Sequence, residues 1–503
     1  MDFIDSFLNR ITMYRLTLWG LSLLAALSVA FTLVGWLPYT GFELLISLVL
    51  LLIAARAANA VGALFTKAAP TPESAYITAL ILFFIIQPIQ SSQDALLIML
   101  VAATAMVSKY LITVNKKHIF NPAALAVFVF SVSGSGIGIW WVATPIMLPF
   151  VIILGFLIVR KLRRWDLFLS FAVTATIVFL IRSLLSGVDL LSSASLFATS
   201  FPVIFFGTVM LTEPQTTPPN KTDRVIYGGI VGILFSVAFQ FGTLSATPEF
   251  ALLIGNIYSF FVSRYKRFKL QFKSMHLIAR DTYEFVFVPE TPVSFAAGQY
   301  MEWTSPHRKK DSRGVRRYFT IASAPSDPFI RLGLRVPVES SSFKDSLKNI
   351  KKNTMLYASN VAGGFTLSKD PNEKIACIAG GIGITPFMSM FRELASQNAR
   401  RDMVLMYAAA TPLDFAYKDE IDSFKDAIGL KVLYLPTDLV ELSNWEGPSG
   451  YLTNVMVKDE IPDYASRSWY LSGPDAMVKN YKWLVRGMGV PSKAIKTDYF
   501  PGF

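Results

Sequence analysis

Residues 373–390 read EKIACIAGGIGITPFMSM. An apolar run predicts a buried strand, Gly380, Gly381 and Gly383 predict a tight turn, and Thr385 and Pro386 open a helix. Glycines let backbone N–H groups approach a pyrophosphate closely, and the helix N-terminus adds partial positive charge. That is dinucleotide chemistry. A second apolar strand runs into LSGPDAM at 471–477, with Ser472, Gly473, Pro474 and Met477 at its end. Two further stretches combine polar and aromatic groups: RRYFTIAS at 316–323 and SSSFKDSL at 340–347. The chain ends TDYFPGF.

The elements that must position these residues fall into two classes. From about residue 268, short alternating strands (YEFVFVPE, GQYMEWT, RRYFTIAS, FIRLGLRVPV) predict an antiparallel β-barrel. After about residue 374, strands and helices alternate, as in a parallel Rossmann-like α/β sheet. Everything before about residue 263 is one apolar run after another. The 503 residues are 53% hydrophobic and only 16% charged, well below the quarter usual in soluble proteins.

A helix needs about 20 apolar residues to span a bilayer. Ten segments are predicted, near residues 16–36, 42–58, 76–89, 95–114, 120–132, 139–159, 167–185, 195–211, 225–241 and 250–262. Arg10, Arg15, Arg56, Lys67, Lys116, Lys117, the 160–164 cluster, Lys221, Arg224 and the basic residues of 264–269 lie in one alternate set of connections. The other set (LPYT, QSSQD, SGSGIG, SGVDLLSSAS, GTLSATPE) holds no Lys or Arg. This asymmetry predicts a multi-pass plasma-membrane protein with both termini in the cytoplasm. It also explains the net charge of +12 without nucleic acid, since no basic stripe with interleaved aromatics occurs. The expected domains are a transmembrane domain at 1–265, a barrel at 266–370 and an α/β domain at 371–503.

The single cysteine, Cys377, excludes intrachain disulfides and a cysteine-ligated iron–sulfur cluster. Three histidines (His118, His276, His307) are too few for two intramembrane haems, and no metal site is expected.

The order of motifs from about residue 270 resembles the ferredoxin–NADP reductase family. The resemblance implies a ferredoxin reductase-type FAD-binding barrel and an FAD-dependent NAD(P)H oxidoreductase. In it Arg317 pairs with the FAD pyrophosphate, Tyr318 or Phe319 stacks on the isoalloxazine, and the Thr320 hydroxyl reaches flavin N5. Ser341 and Ser342 would hold the same pyrophosphate, although a plain helix N-cap accounts for them equally. The family's Cys-Gly-Pro element becomes Ser472-Gly473-Pro474, beside the nicotinamide, and Asp498 with Phe500 or Phe503 corresponds to its acidic and aromatic terminus. Thr320, Ser472 and Phe503 are the expected catalytic set. The Ala409-Ala410 stretch after the next strand carries no basic clamp for a 2′-phosphate, which leans toward NADH over NADPH.

Two apolar-half motifs, HIFNPAALAVF with Asn121 and MLTEPQTTPPNKTDRVIYGG with Thr212, Glu213 and Thr216, resemble the flavin-carrying membrane components of the Rnf complex and of the sodium-translocating NADH:quinone reductase. That resemblance implies a second flavin, FMN or riboflavin, among the helices. The loop expected to carry a covalent flavin, SGVDLLSSAS, has no threonine, and Thr199 lies beyond it, so a noncovalent flavin is expected. The function implied is transfer of electrons from cytosolic NAD(P)H through FAD to an extracytoplasmic flavoprotein. Reduction of quinone within the bilayer is the alternative. An ion or solute carrier with a redox-sensing reductase domain ranks below both, because the spans hold few acidic residues, with Glu43 and Glu249 near their ends.

Overall fold

The computed structural model describes residues 4, 7–8, 11–66, 72–114, 117–263, 267–307, 311, 315–438 and 445–500. Phe503 and the loop cations Arg10, Lys67, Lys116, Arg264 and Lys266 lie outside the described residues. The chain divides into two units, Met1–Tyr265 and Lys266–Phe503.

The first unit is helical: α1 (Met13–Leu33), α2 (Gly41–Thr66), α3 (Pro72–Ile85), α4 (Ser92–Leu111), α5 (Pro122–Val132), α6 (Leu148–Leu162), α7 (Trp165–Leu185), α8 (Leu190–Ser200), α9 (Val203–Met210), α10 (Lys221–Ser236) and α11 (Pro248–Val262). Four of them are long and apolar enough to cross a membrane, and the bent pair α8–α9 makes up to five. Helix α7 shows why water is the wrong solvent for this unit. Leu167, Phe171, Ala175 and Phe179 are buried on one face, yet Leu169, Val173, Ile177 and Ile181 are exposed on the other. A helix apolar all round belongs in a protein core or in lipid.

Two predicted spans are interrupted. The stretch expected to be helical from residue 139 is a run of turns as far as Met147, and α6 begins only at Leu148. Gly134 and Gly136 adopt positive φ, as does Trp140, and break the helix. The Ile139 and Trp140 N–H groups donate to Ile85 O, and Val142 N–H donates to Phe84 O, both carbonyls in the last turn of α3. Non-helical backbone at membrane depth persists because another element satisfies it. The span expected at 195–211 is bent by 55° at Phe201–Pro202 and ends in a π turn, Phe206–Met210.

The unit also repeats itself. In the first five helices α2 packs along α4, α4 against α5 and α1 against α3; in the remainder α7 packs along α10, α10 against α11 and α6 against α9. Gln87-Pro88 follows α3 as Glu213-Pro214 follows α9. Both α5 and α11 begin with a side-chain cap and a proline in the first turn: Asn121 before Pro122, and Thr247 before Pro248.

The second unit pairs a barrel with an α/β sheet. The barrel strands are β1 (Phe268–Ala279), β2 (Thr282–Pro289), β3 (Tyr300–Thr304), β4 (Arg316–Thr320), β5 (Ile330–Arg335) and β6 (Met355–Ala362), in the order β4-β3-β6-β1-β2-β5, with α12 (Ser342–Lys348) before β6. Ala322 N–H, just past β4, donates to Arg331 O on β5 at 2.9 Å and closes the curl. Inward positions carry Phe285, Phe287, Met301 and Trp303, all fully buried, each worth roughly 1.5–3 kcal/mol over exposure.

The α/β part contains β7 (Ile375–Gly380), α13 (Thr385–Ser396), β8 (Met403–Ala409), α14 (Lys418–Ile428), β9 (Leu430–Pro436), α15 (Asn454–Glu460), β10 (Ser468–Pro474), α16 (Asp475–Gly487) and β11 (Ile495–Phe500). Its five strands are parallel, in the order β9-β8-β7-β10-β11. The first strand, β7, is buried along its whole length and sits centrally, so the turn that follows it opens at the C-terminal edge of the sheet. That edge is where open α/β sheets bind ligands.

Candidate functional site

A cleft of about 360 Å³ lies in the second unit, between barrel and sheet. Phe319, Thr320, Gly333 and Arg335 line it from the barrel, and the 380–383 turn, Thr385, Asp414, Gly473 and Pro474 from the sheet. Strand β7 delivers the glycine turn directly into it. Each glycine has its own steric reason. A Cβ on Gly383 would lie 2.6 Å from Gly473 Cα and from Ser472 O. One on Gly380 would lie 2.2 Å from Met477 Sδ. Gly381 has open space but a φ of +51°, which side-chain-bearing residues rarely adopt. The turn is therefore packed against the end of β10, which brings together two motifs nearly a hundred residues apart. Thr385 Oγ1 donates to Ile382 O at 3.0 Å and tightens the entry to α13, while Pro386 occupies the helix's first turn.

On the barrel side, β4 alternates. Tyr318 is half exposed and packs edge-on against Tyr300, whereas the Phe319 ring borders the cleft and rests against Phe343. Of the two candidate rings, Phe319 is the one placed at the cleft. Thr320 is buried and its hydroxyl has no hydrogen-bond partner. An orphaned hydroxyl beside an aromatic ring suits a flavin, whose ring nitrogens would satisfy it.

Arg317 is otherwise engaged. Its Nη2 donates to both oxygens of Asp311, at 3.0 and 3.1 Å, so this carboxylate occupies the guanidinium that a pyrophosphate would use. The serines are engaged too. Ser341 caps α12 through Lys344 N–H, and Ser342 Oγ accepts from Asp311 N–H and lies 3.0 Å from His307 Nε2. Their hydroxyls thus serve the loop as well as the helix, and Asp311 is the residue that motif reading overlooked.

Ser472 and Asp498 are register partners on β10 and β11, so both side chains leave the sheet on one face. Ala379 and Tyr470 share that face and join the core that includes Phe365. The Ser472 Oγ and Asp498 Oδ2 atoms are both buried without a partner. Burial pushes the Asp498 carboxyl up to about 7.

In the helical unit, Asn121 and Glu213 do meet. Asn121 Nδ2 donates to Glu213 Oε2 at 2.8 Å, and its Oδ1 caps α5 by accepting from Ala124 N–H. Three partners were not evident from motif reading. His118 Nε2 lies 3.2 Å from Glu213 Oε1, Asn256 Oδ1 accepts from Asn121 N–H at 2.8 Å, and Asn256 Nδ2 donates to Tyr227 OH. Thr212 and Thr216 sit in the same turn, but their hydroxyls donate to the Thr208 and Glu213 carbonyls. These four candidate residues satisfy one another and the backbone. None has an orphaned buried atom, so they do not form a cradle that calls for a flavin.

Comparison with known proteins divides the chain in the same way. Residues 131–270 match the family model described as NQR2, RnfD, RnfE, and residues 377–482 match an oxidoreductase NAD-binding domain. A glycine betaine monooxygenase reductase subunit of Pseudomonas aeruginosa is 30% identical over 213 residues, which cover 42% of this chain and 57% of that one. A flavohemoprotein of Bacillus anthracis is 24% identical over 217 residues, 41% of this chain and 53% of the other. The chain spans a little over half the length of these curated relatives. Among solved structures, an Amycolatopsis cytochrome P450 reductase superposes with a TM-score of 0.42 at 20% identity, covering 48% of this chain and 72% of its own. In one polypeptide, a segment similar to the NQR2, RnfD, RnfE family is joined to one similar to an oxidoreductase NAD-binding domain.

Proposed function

We propose that the chain is a membrane NAD(P)H oxidoreductase that passes electrons from cytosolic NADH, through FAD, to an acceptor on the far side of the membrane. The observation that carries this is the cleft in which Phe319 and the orphaned Thr320 hydroxyl face the 380–383 turn within one unit. Bound FAD would supply the means to take a hydride and release electrons singly. The residues do the rest. The glycine turn and the start of α13 receive the dinucleotide pyrophosphate, Phe319 backs the isoalloxazine, and Thr320 offers a hydroxyl toward it. Ser472 and Asp498 border the reacting region with a hydroxyl and, below about pH 7, a neutral carboxyl. Arg317 reaches the FAD pyrophosphate only when Asp311 releases it.

Asp414 supports NADH as the donor. It borders the cleft after β8, where its Oδ2 accepts from Thr411 N–H and Oγ1 at 3.1 and 2.7 Å. A carboxylate there accepts a ribose hydroxyl and repels a 2′-phosphate.

The electron path beyond the reductase rests on the NQR2, RnfD, RnfE match and on the ten-segment reading, with both termini cytoplasmic. The internal repeat supports that count, since α3, α5 and α11 correspond to partners in the other half despite their short lengths. That family similarity also supports a second, noncovalent flavin. Its place is not assigned to Asn121, Thr212, Glu213 and Thr216.

The test is a flavin count per purified full-length polypeptide, separating acid-released FAD and FMN from protein-bound flavin, followed by anaerobic addition of NADH. FAD near one per chain that bleaches with NADH supports the reductase reading, and a second flavin supports the relay. FAD alone in a cofactor-replete preparation favours quinone as acceptor. No FAD at all would overturn the reading.

A further inference from the structure

Helix α13 does more than begin at the glycine turn. One stripe of it, Ser389, Arg392, Glu393 and Ser396, follows the i, i+3, i+4, i+7 spacing of a single helix face. All four of these residues bond directly to the barrel segment that continues β4 past Thr320, Ser396 through its hydroxyl to that of Ser326 at 2.9 Å. Ser389 Oγ donates to Ser323 O at 2.7 Å, Arg392 Nη1 donates to Ala322 O at 2.8 Å, and Ser326 Oγ donates to Glu393 Oε2 at 2.9 Å. The strand bearing the candidate flavin hydroxyl and the helix bearing the candidate dinucleotide turn are therefore fastened to each other.

Arg392 is the charged centre of this fastening. Its Nη2 donates to Glu284 Oε1 on β2 at 2.9 Å, and its Nε and Nη2 make a fork to Glu420 on α14, both at 2.7 Å. Glu284 is held from its other side by Arg331 on β5 at 2.9 Å. The Arg392 and Glu284 side chains are 8% and 6% exposed, so the link is shielded from water and salt. Arg392 lies seven positions after Thr385, about 10 Å along the helix, and does not border the cleft.

We propose that Arg392 is a positioning residue for hydride transfer: by clasping Glu284 of the barrel and Glu420 of the α/β half, it sets the spacing between the β4 flavin strand and the glycine turn. This rests on the proposed reduction of FAD by NADH. Hydride transfer requires the reacting atoms at about 3–3.5 Å, and a misplacement of about 1 Å costs on the order of a hundredfold in rate. A guanidinium with a planar fork holds two carboxylates at fixed angles, which an ammonium does only in part.

The experiment uses the full-length, FAD-loaded protein in detergent and follows flavin bleaching after anaerobic mixing with NADH. Reduction of the unmodified protein establishes the reaction first; if NADH does not reduce it, the reaction itself fails and the proposal falls with it. In Arg392→Met we expect unchanged FAD content, half-saturation by NADH within about threefold, and a limiting rate lower by roughly 10–100-fold. The long-wavelength charge-transfer absorbance of the nicotinamide–flavin pair should weaken in parallel. Arg392→Lys should recover part of the rate, and Glu420→Gln, which leaves the Glu284 link, should fall between. A folded, FAD-loaded Arg392→Met with the unmodified limiting rate, or with only its NADH saturation altered, overturns the proposal. Should Arg392→Met not fold, unmodified limiting rates in both Arg392→Lys and Glu420→Gln overturn it equally.

Discussion

Asp498 is a side chain of the second unit whose protonation state the fold alters within the physiological range. Burial raises its carboxyl from 3.8 to about 7, so the native protein holds a proton there that the unfolded chain releases. The sign follows: this group's contribution to stability is fully present below 3.8 and is lost as pH rises through about 7. In function, the neutral acid prevails below that value and the carboxylate above it. We expect the limiting rate of flavin reduction to fall through a break near pH 7, and the break to vanish in Asp498→Asn, which stays neutral from about pH 6 to about pH 8. A break that persists in Asp498→Asn belongs to another group. Asp414 gives a second expectation at this scale. Asp414→Ser should narrow the preference for NADH over NADPH by at least about tenfold in kcat/KM, since each 1.4 kcal/mol of removed repulsion is a factor of ten. Equal NADH and NADPH kinetics in the unmodified protein would sink that assignment.

Elements decide whether such residues meet. The turn after β7 and the end of β10 touch through backbone, so Gly383→Ala must push Gly473 away; overpacking of this kind costs about 1–3 kcal/mol. We expect this variant to retain FAD yet lose most NADH-dependent bleaching, readable by titration with NADH against dithionite. In the helical unit, Glu213 joins the turn after α9 to His118 and Asn121 at the start of α5. Glu213→Ala leaves the Asn121 amide and the His118 ring without this partner, at a cost of about 1–3 kcal/mol, and should lower the melting temperature of the helical unit more than Glu213→Gln does.

Much of this was legible from local pattern. GGIGITP after an apolar strand announces its turn, and alternating polar and apolar residues announce the barrel. What escaped depends on distant partners. Residues 139–147 are apolar enough for a helix, yet they form turns whose Ile139, Trp140 and Val142 N–H groups donate to the carbonyls of Phe84 and Ile85, and only Gly134, Gly136 and Pro145 hinted at it. Asp311 sits in a loop with no motif, and Arg392 joins residues from three separate stretches, so no spacing reveals either. His118 reads as one more loop cation until the fold sets it against Glu213.

At the scale of the molecule, a segment similar to an NAD-binding domain and a segment similar to the NQR2, RnfD, RnfE family lie in a single polypeptide. Its basic loop residues alternate with connections that hold no Lys or Arg, and the proposed direction follows from this: donor on the cytoplasmic side, acceptor opposite. The most direct measurement places the purified, flavin-replete protein in sealed vesicles and selects those with the reductase unit outward. NADH is added outside, and a membrane-impermeant oxidant is trapped inside. The account expects reduction of the trapped oxidant that depends on NADH, continues without added quinone and is lost in Gly383→Ala. Oxidation of NADH with no reduction of the trapped oxidant would contradict transfer across the membrane and place the acceptor within the bilayer or on the cytoplasmic side.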